Sequence, residues 1–391
     1  MELTAEQRAL REAVRDLLRR RKVGPTDEPW AAAGAGGGLW RALCQIGVAG
    51  LAVPERYGGA GAGPVEVAVV AEELGRVLAP APLLGSAVLA TGTILAAGDA
   101  DACERLLPEL AAGRVIGALA WTGHSGGWDP AAAAFHAAER AGGGWTLTGT
   151  AHYVLDGDHA DVLIAAAAMP DGSIGLFEVD PAQAGVERQL SPSMDQTRRL
   201  AVVRLAAGVD RPLGAGYLAG RGGGRGAFGG EALARVRDLG CLALSAEQAG
   251  AAARALELTV AYTSDRVQFG RPIASFQAVQ HRLAGLHVLV ESARALAYRA
   301  ARVAAAAGAT RPAPGRDADD RQVAMLAAAA KAYCSEALAT VAGEMIQLHG
   351  AIGATWEHDA HRYFKRAHGS GQLLGAPAAH LARIASAVID G

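Results

Sequence analysis

Three short patterns in this 391-residue sequence bring together residue types that could do chemistry. Gly224-Arg-Gly226-Ala-Phe-Gly229 has the G-x-G-x-x-G spacing that lets backbone N–H groups approach a dinucleotide pyrophosphate at a helix start. That geometry needs a strand in front. Gly- and Pro-rich sequence stands there instead, so the stretch reads as a connector. The overlapping RGGGRG is a single repeat on a chain of formal charge −2, too little for RNA contact. His358 and His361, flanked by Glu357 and Asp359, offer two ligands from one helical face, but no third suggests itself and no metal is expected. No GxSxG elbow or other local nucleophile signature is present. Cys44, Cys103, Cys241 and Cys334 lie far apart without a CxxC pair. That pattern argues against a disulfide framework or zinc ribbon and fits a reducing cytoplasm.

The chemistry must therefore come from residues that the fold gathers. With 51% hydrophobic residues the chain has core enough for two or three packed units. Its near-neutral charge gives no case for nucleic acid or a membrane surface. No apolar stretch reaches the roughly 20 residues of a membrane span without Gly or flanking charge. The first twenty residues are amphipathic and lack a cleavable apolar run. A soluble protein with a small ligand is expected.

Thr4 with Gln7 three residues on reads as a helix start, followed by Leu10, Val14, Leu17 and Leu18 on one face. A Gly/Ala-rich break at Ala31 to Gly38 precedes further helices at Leu39 to Gly47 and Val65 to Leu78. From Gly117 the pattern turns to short apolar or alternating runs, at Trp145, Asp161 to Ala165, Ile174 to Val179 and Leu200 to Leu205. Past the connector at 220–230, Val279, Leu283, Leu286, Val290, Ala293 and Ala297 line one helical face. Val323, Leu326, Ala330, Tyr333 and Ala337 line another, with PAPGRDAD as the loop between. The expected class is α+β: an N-terminal all-α domain at 1–115, a middle β-barrel or sandwich domain at 116–220, and a C-terminal four-helix bundle at 221–391.

The segment Tyr262-Thr-Ser-Asp-Arg-Val-Gln-Phe-Gly-Arg-Pro-Ile-Ala-Ser-Phe-Gln277 closely resembles the C-terminal bundle signature of the acyl-CoA dehydrogenases. LAVPERYGGAG and AEELGRVLAP before it, and QLHGAIGATWEHDAHRYFKRA after it, extend the resemblance over nearly the whole chain. It implies flavin adenine dinucleotide (FAD) as cofactor. In that family the RxxFG stretch holds the pyrophosphate and adenosine part of a flavin that belongs mainly to a neighbouring subunit, and Arg266, Gln268 and Phe269 match it. Two phosphates at an interface call for a fixed cationic fork and backbone donors, which Arg and Gly-rich turns supply. Ile273, Phe276 and Gln277 follow at matching spacing. The QxxGG turn appears as Gln347, Gly350 and Ala351.

On the side that holds the flavin ring the resemblance thins. The TEPGAGSD loop becomes Thr122-Gly-His-Ser-Gly-Gly-Trp-Asp129, and the WITNG stretch becomes Tyr153-Val-Leu-Asp-Gly157, so Leu155 replaces the threonine whose hydroxyl reaches flavin N5, a bond that a backbone N–H could still supply. In register, the family's YEGT falls on Leu373-Leu-Gly-Ala376 and places Leu374 where the catalytic glutamate belongs. Some members carry that glutamate on the first bundle helix instead, at the position of Gly240 here. Asp238 faces about 160° away from Gly240; Glu247, two turns along, is a weak candidate base roughly 10 Å too far. Losing such a base typically costs about 10²–10⁴ in rate.

The wording of the second half resembles actinobacterial members that pair unlike subunits, act on steroid side chains or other bulky acyl thioesters, and carry the base on one subunit only. The resemblance implies FAD-dependent α,β-dehydrogenation of an acyl thioester by a heteromer in which this chain lacks its own base. The partner would be a homologous acyl-CoA dehydrogenase subunit or a second copy. A homotetramer with a relocated base, a flavin-dependent monooxygenase and a flavin-free scaffold remain open alternatives, as does the identity of the acyl group.

Overall fold

A computed structural model describes residues 2–24, 38–214, 228–308 and 317–389. The break at 31–38, the connector at 220–230 and the loop at 312–319 fall wholly or mostly outside these residues. Helix α1 (Ala5–Arg20) starts on a reciprocal cap: Gln7 N–H donates to Thr4 Oγ1 at 3.2 Å and Thr4 N–H to Gln7 Oε1 at 3.0 Å. Its apolar face buries Val14, Leu17 and Leu18 against α2 (Gly38–Gln45) and α3 (Pro64–Arg76). Pro64 occupies the first turn of α3, where a missing N–H costs nothing. A fully buried π-helical stretch, Leu83–Ala90, runs into α4 (Thr91–Ala97), and α5 (Ala100–Ala111), capped by Asp99, completes the N-terminal helical domain.

Eight strands follow: β1 (Gly117–Ala120), β2 (Phe135–Glu139), β3 (Trp145–Leu155), β4 (Val162–Ala168), β5 (Ile174–Val179), β6 (Val186–Leu190), β7 (Leu200–Val209) and β8 (Pro212–Leu213). They form one sheet in the order β6-β7-β3-β2-β4-β5-β8, with β1 joining the edge of β4 in parallel ahead of β2. The expected barrel is not formed. β6 and β8 end the ladder without pairing, so the sheet stays open; β8 is only two residues long and offers too little edge for closure. Along β4, Leu163, Ala165 and Ala167 enter a core private to the sheet, while Val162, Ile164 and Ala166 join the main core shared with the helices. Burial on both faces is why this strand is apolar without alternation.

The C-terminal domain is helical. α6 (Phe228–Asp265), α7 (Gln277–Ala306), α8 (Asp317–His349) and α9 (Ala360–Gln372) pack as a bundle, and α10 (Pro377–Ile389) lies against α8. Leu286, Val290, Ala293 and Ala297 of α7 are buried, as their spacing requires. α3 and α6 cross at backbone contact: a Cβ on Gly75 would strike the Glu247 carbonyl, and one on Gly250 the Glu72 carbonyl. Buried Glu72 reinforces the junction, accepting from Tyr298 Oη (2.6 Å), Arg11 (2.9 Å) and Arg294 (2.8 Å). Among the described residues no helix is long and apolar enough to cross a membrane.

Candidate functional site

α6 ends at Asp265 in a tight hairpin whose strands are Val267–Gln268 and Arg271–Pro272. Both turn residues, Phe269 (φ +54°) and Gly270 (φ +78°), are left-handed, as a two-residue turn matched to strand twist demands. Glycine takes that conformation freely; phenylalanine does not, and here it lifts its ring to 92% exposure. Arg266 and Gln268 are exposed, while Arg266 O accepts from Ile273 N–H at 2.8 Å and so fixes the hairpin base. The Arg271 guanidinium lies 4.0 Å from the centre of the Phe276 ring, leaving Arg266 as the cation free to reach outward.

The same end of the bundle carries Gln347 and Gly350. One turn before the hairpin, Tyr262 stacks on His349 (4.2 Å, 21° between rings) and its hydroxyl donates to His349 O at 3.3 Å. That stack pins the end of α6 to the end of α8. Arg266, Gln268, Phe269, Ile273, Phe276 and Gln277 thus share one surface with Gln347, Gly350 and Ala351, all exposed except half-buried Ile273 and Phe276. This surface suits the nucleotide half of a dinucleotide, offering a guanidinium, an aromatic face and exposed turn backbone.

Thr122 and Leu155 lie elsewhere. A register shift between Ala151 and Val154 bulges β3, and Tyr153 (φ +56°) and Asp156 (φ +58°) bracket Leu155 in left-handed backbone. Leu155 is 3% exposed and packs on the π-helical stretch, where a Cβ on Gly85 would come within 3.1 Å of its own Cβ. The Thr122 hydroxyl donates to Gly127 O at 2.6 Å. Trp128 is buried edge-on against Trp121 at 5.6 Å. The threonine hydroxyl is already used and the other two side chains are packed apolar groups, so these side chains offer a flavin ring no free polar group and leave such contacts to the backbone.

Nor are the two surfaces adjacent. Leu155 lines a small cleft with Glu247 of α6, and Asp265, where α6 ends, is 18 residues beyond Glu247, about 27 Å along the helix. Among the described residues no hydrogen bond or ring contact joins the two sets.

The two alternative places for a base do meet. Leu374 is 1% exposed, in left-handed backbone (φ +59°), and points at Gly240, where a Cβ would lie 2.7 Å from Leu374 Cδ1 and 2.8 Å from Leu89 Cδ2. The missing Cβ of Gly240 is the notch that Leu374 fills. Beside it, Leu239 and Leu242 join Val67, Val88 and Leu95 around a narrow apolar cleft of ≈40 Å³, with Arg235, paired to Asp320 at 3.0 Å, as the charged residue of its described wall. Asp238 is held by Arg383 (2.8 Å) and Arg237, and burial pushes its carboxyl above the usual range.

Glu247 is not free. Its Oε1 accepts from Arg366 at 2.7 Å and from Arg198, and Arg366 in turn donates to Thr197 Oγ1 and O, beside Asp195. This buried network bolts the β6–β7 loop to α6 and α9. Sequence reasoning missed Arg366, although a charge in register with Tyr363, Ala367 and Ser370 on the buried face of a helix is itself a signal.

An all-α domain, an open sheet and a helical bundle in this order define the acyl-CoA dehydrogenase fold. Residues 4–114 match the family model for the acyl-CoA dehydrogenase N-terminal domain and 234–389 that for the C-terminal domain. The acyl-CoA dehydrogenase IpdE2 of Mycobacterium tuberculosis is 40% identical over 98% of this chain and 97% of its own. Among solved structures, a steroid ACAD variant, Tcur3481-Tcur3483, superposes with a TM-score of 0.81 at 31% identity over 99% of this chain and 98% of its own. The ChsE4-ChsE5 complex from Mycobacterium tuberculosis does so at 0.80 and 27%, over 100% and 99%. The chain belongs to the acyl-CoA dehydrogenase family, whose members are FAD-dependent flavoprotein oxidoreductases.

Proposed function

We propose that this chain is a subunit of a heteromeric, cytoplasmic, FAD-dependent acyl thioester dehydrogenase. It contributes nucleotide-side flavin contacts and part of the assembly but no proton-abstracting base. The observation that carries this reading is the contact of Leu374 with Gly240, because both positions at which the family places its glutamate converge there and neither can accept a proton. Glu247, spent on Arg366 and Arg198, offers no substitute.

Arg266, Gln268, Phe269, Ile273, Phe276, Gln277, Gln347 and Gly350 hold the pyrophosphate and adenosine of a flavin whose ring lies in the neighbouring subunit. Their distance from Thr122 and Leu155 along α6 supports this division between chains. FAD supplies hydride acceptance in the dehydrogenation; this chain's part is to bind, orient and exclude water. The apolar cleft beside Gly240 suits an uncharged acyl group, and the relation to steroid ACAD and ChsE4-ChsE5 structures supports a bulky one and an unlike partner.

The test is flavin bleaching by acyl thioester under anaerobic conditions, with the chain alone and co-purified with a homologous subunit that carries the glutamate. Bleaching confined to the pair is expected. Bleaching in the lone chain would overturn the assignment.

A further inference from the structure

Lys331 sits at mid-length in α8 with no exposed surface. Its ammonium donates to Ser335 Oγ (2.9 Å), Gly371 O (3.1 Å) and Gly375 O (3.2 Å), which uses all three donors. None of these acceptors is a carboxylate, and among the described residues Lys331 makes no ion pair. Burying a cation without a counter-charge is costly, and burial draws its pKa down to about 8. A position that needed only filling would be better served by leucine or methionine.

Position is what the lysine adds. Gly371 lies in the last turn of α9, where unpaired carbonyls present partial negative charge, and a cation from a neighbouring helix satisfies them. Gly375 lies just past the turn. A single ammonium bonded to both carbonyls closes the loop around Leu374 and holds it in its strained left-handed conformation. The opposite side is closed as well: a Cβ on Gly375 would be 2.9 Å from His380 Nε2, while Arg383 donates to His380 Nδ1 at 3.2 Å and to Asp238 at 2.8 Å.

We propose that Lys331 is the positioning residue of the 371–375 turn, fixing whichever side chain stands at 374 against Gly240. The proposal rests on the reading above that 374 is the family's base position; it assigns to α8, in sequence far from either base site, the task of aiming that position.

The charged and titratable groups around the ammonium and the turn are Arg237, Asp238 and Cys241 on α6, Cys334 on α8, His380 and Arg383 on α10, and Arg198 in the β6–β7 loop. Burial holds both thiols at about 12 and His380 at about 3, outside the interval from about pH 6.5 to about pH 9.5 across which the Lys331 ammonium loses its proton.

Amide hydrogen exchange of the assembled protein, corrected for the intrinsic pH dependence of exchange, tests this without reference to activity, flavin or substrate. In wild type at the higher pH, and in Lys331→Met at the lower, peptides spanning 371–380 should exchange about ten- to thirtyfold faster, with α7 unchanged. Unaltered exchange at 371–380, or a uniform rise along the chain, would overturn the proposal. Should Lys331→Met fail to fold, the wild-type comparison decides alone. Lone-chain bleaching would sink the functional reading while leaving this result standing.

Discussion

Arg266→Ala in the assembled complex gives the sharpest test of the division of labour. Arg266 is exposed, and among the described residues its side chain makes no hydrogen bond or ion pair; its backbone holds the hairpin, through Tyr262 O and Ile273 N. Truncating it should leave the fold of the isolated chain unchanged, within about 0.5 kcal/mol for a surface site. On the proposed division of labour it would remove a charge-assisted bond to phosphate in the complex. Such bonds contribute about 1.5–3 kcal/mol, so FAD should bind about ten- to 150-fold more weakly. Flavin retained through gel filtration, and titration of the deflavinated complex by flavin fluorescence, measure this directly. Arg271→Ala is the internal control: its guanidinium is stacked on Phe276, so its loss should perturb the hairpin more than the flavin. An Arg266→Ala complex that holds FAD as tightly as wild type would refute the reasoning, because Arg271, the other cation of the described hairpin, is stacked on Phe276.

Three further outcomes follow from the same contacts. Leu374→Met, a volume-conserving change, should cost less than about 1.5 kcal/mol and leave turnover of the complex within about twofold; a loss of 10²–10⁴ would mean that this position takes part in catalysis. Glu247→Gln should cost about 3–5 kcal/mol of stability in denaturant unfolding, because Arg366 and Arg198 would lose their shared carboxylate; a rate loss without a stability loss would instead restore Glu247 as a base. Burial, aided by Lys331, Arg383 and Arg237, holds His380 at about 3 against an ordinary 6.5. Its folded pKa is depressed, so the unfolded chain binds the proton first as pH falls. Stability should be full above about pH 6.5 and lower by about 2 kcal/mol at about pH 5, and a melting temperature flat across that interval would contradict the assignment.

The order of helical, β and helical domains was legible because each leaves a local period, as the buried face of Leu286, Val290, Ala293 and Ala297 illustrates. Closure of the sheet was not legible, since it depends on whether β6 meets β8, a long-range pairing with no local signature. At the site, the hairpin residues were readable as a contiguous motif. Leu374 and Gly240, 134 positions apart, were read as two separate substitutions; only the fold makes them one contact. Lys331 was passed over because a charged residue on a long helix is ordinarily solvated, and Arg366 because its register with Tyr363, Ala367 and Ser370 went unread. The cleft beside Leu239 is assembled from scattered apolar positions and has no pattern of its own.

Phe269 has a consequence for the cell. A phenylalanine held out on a left-handed turn, with Val267 beside it at 53% exposure, is an adhesive tip on any chain that has not found its neighbour. On the heteromeric reading proposed above, supply of this chain would have to track supply of the chain it docks against. Overproduced alone, it would enrich for chaperone capture and aggregates, and matched dosage, as from adjacent genes translated together, would be the cheapest way to keep the tip covered from synthesis onward.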